Sequence, residues 1–272
     1  MSDQAESYNP TLRPPGTQGA PAPAQVDVLE RGAEKNGQPQ VMDRRLFMQL
    51  LVLRAPVGHD PAPYGRELAE AAEASKSSAV VYEDVNDPRS FGLLTWSEAP
   101  GHFVSRVRPL FGRDRLRDME LRPELTMLGR TYSQGYEQDL PFWLLQRPQE
   151  TVLNEDWPWA VWYPLRRSGA FEQLEPKDRG SILREHAVIG RSYGSKDLAH
   201  DVRLACHGLD ANDNEFIIGL VGKELHPLSH VVQTMRKTRQ TSQYIQQMGP
   251  FFVGHVRWRV GQAPAPAEAG GE

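Results

Sequence analysis

The residue best suited to metal chemistry is His186. It stands in Ile182-Leu183-Arg184-Glu185-His186-Ala187-Val188-Ile189, where three-and-four spacing puts Ile182, His186 and Ile189 on one helical face. An imidazole on an apolar face points inward. It is either a hydrogen-bonded core histidine or a ligand facing a buried cavity, and a neutral imidazole nitrogen is a standard axial ligand of haem iron. Tyr163 lies in Trp159-Ala160-Val161-Trp162-Tyr163-Pro164-Leu165-Arg166-Arg167. Alternation places Trp159, Val161, Tyr163 and Leu165 on one sheet face, and Pro164 predicts an edge or a bulge. The stretch is an aromatic core strand, or it sets a phenol beside a cofactor for proton or electron transfer. Arg166 and Arg167 are surface charges or partners of carboxylates, a role that suits the bidentate guanidinium fork. In the segment His200–His207, Val202, Leu204 and Cys206 share one face and Arg203, Ala205 and His207 the other. That mixed face suits solvent or the wall of a polar pocket. His226 and His230 are four apart but have no HExxH frame and no neighbouring cysteines. Covalent haem attachment is excluded, because no CxxCH occurs. The sequence also has no GxGxxG, no phosphate-binding Walker loop and no nucleophile elbow.

Six elements must position these side chains, and the same six occur earlier in the chain. Leu46–Leu53 reads as a strand buried on both faces. Pro63–Ser75 is a helix. Ser78–Tyr82 and Phe91–Trp96 are strands around a turn at Asp84–Pro88. Ala99–Phe111 has apolar residues at helical spacing, and Met119–Tyr132 supplies a last strand. The second set is a strand at Trp159–Leu165, a helix at Pro176–Ser192 with its proline at the start, strands at Val202–Cys206 and Glu215–Val221, a broken helix over Pro227–Met248 and a strand at Phe251–Trp258. Two tandem β-α-β-β-α-β units predict an α+β protein, a duplicated ferredoxin-like fold forming a dimeric α/β-barrel-like domain. The units span 43–136 and 159–260, joined by a connection at 137–158. Residues 1–42, with six prolines, and 261–272 are too poor in large apolar side chains to order themselves and are expected to be disordered tails.

Composition narrows the function classes. The 272 residues are 39% hydrophobic and 24% charged, with net charge −4, an ordinary globular balance without the basic bias of nucleic-acid binders. One cysteine permits no internal disulfide and points to a reducing compartment. No apolar run approaches the roughly 18 to 20 residues of a membrane helix. The acidic, polar start lacks the pattern of a signal peptide. The expectation is a cytoplasmic protein with neither nucleic-acid nor membrane partners.

The stretch from Trp162 to Gly254 resembles the chlorite dismutase-like haem protein family, which includes the coproheme decarboxylases. The resemblance rests on Trp162-Tyr163-Pro164, on Glu185-His186-Ala187-Val188-Ile189-Gly190-Arg191-Ser192-Tyr193, on Gly208-Leu209-Asp210, on Met235-Arg236, and on Thr241-Ser242-Gln243-Tyr244 leading to Gly249-Pro250-Phe251-Phe252-Val253-Gly254. Residues 43–140 match more loosely, through Leu46–Leu53 and Gly129-Arg130-Thr131-Tyr132-Ser133. The resemblance implies a non-covalently bound porphyrin, haem b or iron coproporphyrin III. It makes His186 the proximal iron ligand, and it makes Tyr163 the oxidisable tyrosine beside a reacting propionate. In that chemistry hydrogen peroxide oxidises the iron centre and two propionates become vinyls, giving haem b. Arg130, Tyr132, Arg166 and Arg167 would contact the porphyrin. A homo-oligomer is implied, often a pentamer. Two departures stand out. Leu165, Arg166 and Arg167 follow Tyr-Pro where decarboxylases carry a lysine. The distal residue falls on Ala199, His200 or Arg203, and the glutamate that steadies the proximal histidine in chlorite-degrading members falls on Val221 or Glu224. Three functions follow: peroxide-dependent decarboxylation, which Tyr163 favours; chlorite or peroxide breakdown, which needs Arg203; and haem carriage or sensing without turnover.

Overall fold

The computed structural model describes residues 26–261. Residues 1–25 and 262–272, most of the expected tails, lie outside the described residues. A hairpin of β1 (Glu30–Lys35) and β2 (Gln38–Met42) comes first. The first unit then follows as β3 (Phe47–Arg54), α1 (Ala62–Ala74), β4 (Ala79–Asp84), β5 (Ser90–Ser97), β6 (Glu120–Leu121) and β7 (Met127–Arg130). A helical connection with α2 (Arg147–Leu153) leads into the second unit. That unit contains β8 (Trp159–Arg167), the short α3 (Gly169–Glu172), α4 (Pro176–Gly194), β9 (His200–Ala205), β10 (Phe216–Gly222), α5 (Leu225–Met235), β11 (Ile245–Met248) and β12 (Phe252–Val260).

The strand order in the first unit is β7-β3-β5-β4 and in the second β12-β8-β10-β9. In both, the last strand lies beside the first, as a ferredoxin-like unit requires. β4 pairs with β12 and β7 with β9, so the two antiparallel sheets close on each other as a barrel. Alternation divides every strand between two environments. One set of side chains, including Met48, Leu50, Tyr82, Trp162, Leu204 and Phe252, fills the barrel interior. The other set packs outward, under α1 in the first unit and under α4 and α5 in the second. Among the described residues no helix is long and apolar enough to cross a membrane.

Five expectations are corrected. Residues 30–42 are not part of a tail. Asn36 and Gly37 both have positive φ (55° and 73°), the requirement of a tight hairpin turn, and Glu30 accepts from Ser133 N at 2.9 Å and Arg130 Nη1 at 3.1 Å. The helix expected over Ala99–Phe111 is wound irregularly over Phe103–Val107 and Arg108–Gly112, because Pro109 has no N–H for a regular turn. The strand expected over Met119–Tyr132 is broken at Pro123 into β6 and β7. Ile245–Met248, expected to be helical, is β11. Pro164 does not mark an edge: β8 pairs with β10 on one side, and on the other first with β12 and then with β11. Glu215 N donates to Leu165 O on the β10 side. Pro164 therefore faces the junction of β12 and β11, where Gly249 N donates to its carbonyl at 2.8 Å and no N–H is required.

Candidate functional site

The floor of the site is the outward face of the second sheet. Ile218 on β10 opposes Arg203 on β9 and Tyr163 on β8. Opposed residues in antiparallel strands point the same way, so Arg203, Ile218 and Tyr163 form one row across three strands. Phe251 extends it, stacked on Tyr163 with ring centroids 4.6 Å apart. The next row runs from Arg130 through Ala205 and Phe216 to Leu165. Tyr132 and His207 pack against Phe216 at 5.6 and 5.3 Å.

The roof is α4 with α5. The proline start of α4 and the spacing of Ile182, His186 and Ile189 give an amphipathic helix whose inner face carries the imidazole. Ile182 is the one buried residue of α4, while Leu183 and Val188 are 37% and 49% exposed. Ile189, Met235, Ile218, Phe216 and Phe251, which face one another across this layer, are only half-buried. A Cβ added to Gly190 would meet nothing nearer than Met235 Cε at 3.9 Å. The sheet is thus only partly covered on the α4 side, while α5 packs closely on it through the buried Leu228 and Val231. The Nδ1 atom of His186 is buried and has no hydrogen-bond partner among the described residues. Burial depresses the basicity of the ring, and the Arg203 guanidinium depresses it further. The imidazole is thus held neutral, the form in which it binds a metal.

Charges on the floor are paired. Asp201, two residues before Arg203 and on the same strand face, accepts from Arg203 Nε at 2.9 Å and Arg147 Nη2 at 2.8 Å. Burial opposes ionisation of Asp201, but the Arg203 and Arg147 guanidinium groups outweigh it and hold the carboxyl below its ordinary range. Burial pushes the Tyr163 phenol well above its ordinary value; Asp201 adds to this and Arg236 opposes it. Burial likewise raises Tyr132. Both phenols hold their protons at neutral pH.

The fold brings together His186, Tyr163, Arg203, Tyr132 and Arg167. Arg167 is already committed, however. It bonds Glu215 and Glu172 at 3.1 and 3.0 Å and lies between Phe171 and Phe216. Arg166, one residue away, is on the opposite strand face and bonds Asp213 and Gln247. Arg130 borders the floor but pairs with Glu30. Of the distal candidates, Arg203 shares the row of Tyr163 and Ala199 is buried in the layer beneath α4. His200 stacks on Trp157 at 3.6 Å and bonds Asp197. Val221 belongs to the barrel interior and Glu224 is exposed. Cys206 also lies in the interior, where burial pushes its thiol up to about 12. Among the described residues no cluster of three or more His, Cys, Asp or Glu is placed to hold a metal ion, so His226 and His230 gain no third ligand. Three participants were missed: Asp201, which strand alternation from Arg203 could have found, and Arg147 and Arg236, which only the tertiary fold brings close.

The chlorite dismutase family model matches residues 121–257, just over half of the chain. The chain belongs to the chlorite dismutase family. That match covers β6 to β12 and hence every side chain of the site. Solved structures agree in fold. A haem-binding protein from Thermus thermophilus is 18% identical, with a TM-score of 0.62 over 78% of this chain and 91% of that one. A mutant chlorite dismutase from Candidatus Nitrospira defluvii is 12% identical, with a TM-score of 0.63 over 79% and 93%. The chlorite dismutase of the same organism in complex with imidazole is 12% identical, with a TM-score of 0.62 over 79% and 92%. Comparison with curated proteins finds no match. The family includes haem-dependent enzymes, and the α+β barrel expected from the sequence is its fold.

Proposed function

We propose that this protein binds a porphyrin iron through His186 and uses Tyr163 in peroxide-dependent decarboxylation of iron coproporphyrin III to haem b. The observation that carries the reading is the opposition of a neutral, half-buried imidazole with an orphaned nitrogen on α4 to the Arg203–Ile218–Tyr163 row on the sheet. The layer between them is apolar and incompletely packed, as a flat aromatic ligand requires. When bound, the porphyrin iron supplies the peroxide chemistry. His186 would ligate it. Tyr163 keeps its proton on a buried phenol at rest; once oxidised by loss of that hydrogen atom, its oxygen would take a hydrogen atom from a neighbouring propionate, which gives up CO2 and one further electron to the oxidised centre and becomes a vinyl. Phe251 fixes the Tyr163 ring by stacking. Arg236 is exposed and acts electrostatically on Tyr163; with the unused nitrogens of Arg203 it can receive propionate carboxylates. Arg166, Arg167, Arg130 and Tyr132 are weaker porphyrin contacts under this reading, since the first three already have carboxylate partners.

A second reading, chlorite or peroxide breakdown, rests on Arg203, whose guanidinium shares the row of Tyr163. A preorganised cation there would stabilise a developing oxyanion. Its ion pair with Asp201 reduces the charge it can offer, which favours the first reading. Neither favours simple haem carriage, for which two polar groups in one row are unnecessary. The test is to incubate the protein with iron coproporphyrin III and hydrogen peroxide and identify the porphyrin by mass. Haem b in the native protein but not in Tyr163→Phe is expected. Haem b at the native rate in Tyr163→Phe would refute this role.

A further inference from the structure

Seven residues beyond His186, on the same face of α4, Tyr193 makes a hydrogen bond that neither reading uses. Its hydroxyl meets His230 Nδ1 on α5 and also Thr234 Oγ1 at 3.1 Å. The Tyr193 ring is half-buried in the same apolar cluster as Tyr163 and Ile189, while His230 is exposed and has His226 at 5.9 Å between ring centroids on its own helix. Helix rise puts Tyr193 about 10 Å along α4 from His186, a distance short enough for electron tunnelling through the packed layer. A phenol loses an electron readily only if its proton has somewhere to go, and here an imidazole nitrogen stands ready beside the hydroxyl, with solvent beyond it. The same pairing occurs in the first unit, where Tyr64 on α1 meets Nδ1 of His59 in the turn before that helix at 2.9 Å, but that pair belongs to the unit that lacks His186.

Resting on the proposed ligation of a porphyrin by His186, we infer that Tyr193 and His230 form a redox-active pair that carries oxidising equivalents from the buried site to the surface, so that the protein also oxidises small one-electron donors such as phenols. The oxidant is hydrogen peroxide, reacting at the bound porphyrin iron. In the relay step one electron leaves Tyr193 toward that centre and the hydroxyl proton passes to His230 Nδ1, leaving a neutral tyrosyl radical beside an imidazolium. A donor at the surface then returns one electron to the Tyr193 oxygen, His230 returns the proton, and the oxidised donor releases its own proton to solvent. Two such steps consume one peroxide.

Electron paramagnetic resonance of the haem-loaded protein, freeze-quenched after peroxide, tests this. All variants are made in Tyr163→Phe, which removes the other oxidisable phenol of the site; in that background the protein with Tyr193 intact and its Tyr64→Phe variant should give a tyrosyl radical, and Tyr193→Phe should lose it. His230→Gln, at an exposed position that leaves the packing intact, should slow radical formation and phenol oxidation by roughly a hundredfold, the lower end of what a positioned base supplies. The absorption spectrum of each variant is recorded first. A native histidine-ligated spectrum with an unchanged radical in Tyr193→Phe would overturn the relay and leave the haem reading standing. Loss of histidine-ligated binding in the native protein would overturn both.

Discussion

The two units share a strand order and an amphipathic helix over each sheet, yet their outer layers differ. In the first unit α1 presses onto the sheet: Leu68, Ala72 and Leu93 are fully buried. A Cβ on Gly65 would collide with the rings of Phe91 and Trp258, so the close approach of helix to strand depends on that glycine. In the second unit α4 presents Ile182, His186, Ile189 and Tyr193 where α1 presents Gly65, Leu68, Ala69 and Ala72. Around these larger side chains Ile189, Ile218, Phe216 and Phe251 remain half-buried, although Tyr163, Leu165 and Leu220 of the same layer are buried. The difference teaches that two copies of one strand order can carry unlike outer layers: one helix closes over its sheet through a glycine and small side chains, and the other brings Ile182, His186, Ile189 and Tyr193 to the face of its sheet. The Arg203–Tyr163 row lies only in the second unit, beneath the unpartnered Nδ1 of His186; the first unit also leaves a ring nitrogen unpartnered, Nε2 of His102, but has no such row facing it.

The comparison can be broken most severely by probing the packing itself. Leu93→Ala in the closed layer should cost about 2–5 kcal/mol of unfolding free energy, as a large-to-small change in a tight core does. Ile218→Ala in the open layer should cost less than half as much, because its side chain is already half-exposed. Equal costs in chemical denaturation would mean the two layers are packed alike. Next in size, Arg203→Ala should lower chlorite or peroxide turnover by roughly a hundredfold if the guanidinium meets developing charge, with the porphyrin spectrum unchanged. Loss of porphyrin binding together with activity would make Arg203 a structural member of the floor.

A pH titration sharpens the contrast further. His186 has its folded basicity lowered by burial and by Arg203, so below about pH 6.5 the unfolded chain takes up a proton that the folded chain refuses. Stability from this group is complete above that pH and is lost as pH falls toward the lowered folded value. The slope of unfolding free energy against pH in this window should flatten in His186→Ala by up to one proton. An identical slope in the variant would mean the imidazole is not held neutral by the fold. The smallest effect belongs to the hairpin: Gly37→Ala, at φ 73°, should cost about 1 kcal/mol and leave the second unit untouched, as porphyrin titration would show.

Much of this was legible in the sequence, for identifiable reasons. A continuous apolar run located β3, the turn at Asp84–Pro88 set off β4 and β5, alternation gave the two faces of β8, and the helical spacing around His186 gave its inward face. What was not legible depended on local backbone chemistry or on tertiary contact. Asn36-Gly37 between two short polar strands is a hairpin signal, but proline-rich surroundings masked it. Pro109 and Pro123 fragmented elements whose apolar pattern alone looked continuous. Ile245–Met248 becomes a strand because β8 offers it a free edge beyond β12, which no local pattern records. Arg166 and Arg167 were treated as equals, although strand alternation separates them onto opposite faces. Asp201 was overlooked beside Arg203, and it changes the charge that residue can offer.

The proposed porphyrin site lies in the outer layer of the second unit, where His186 would hold the iron. Absorbance titration of iron coproporphyrin III into the native protein and into His186→Ala tests it most directly. One equivalent per chain with a histidine-ligated spectrum is expected in the native protein, and loss of that spectrum in the variant. The same spectrum and stoichiometry in both would contradict it.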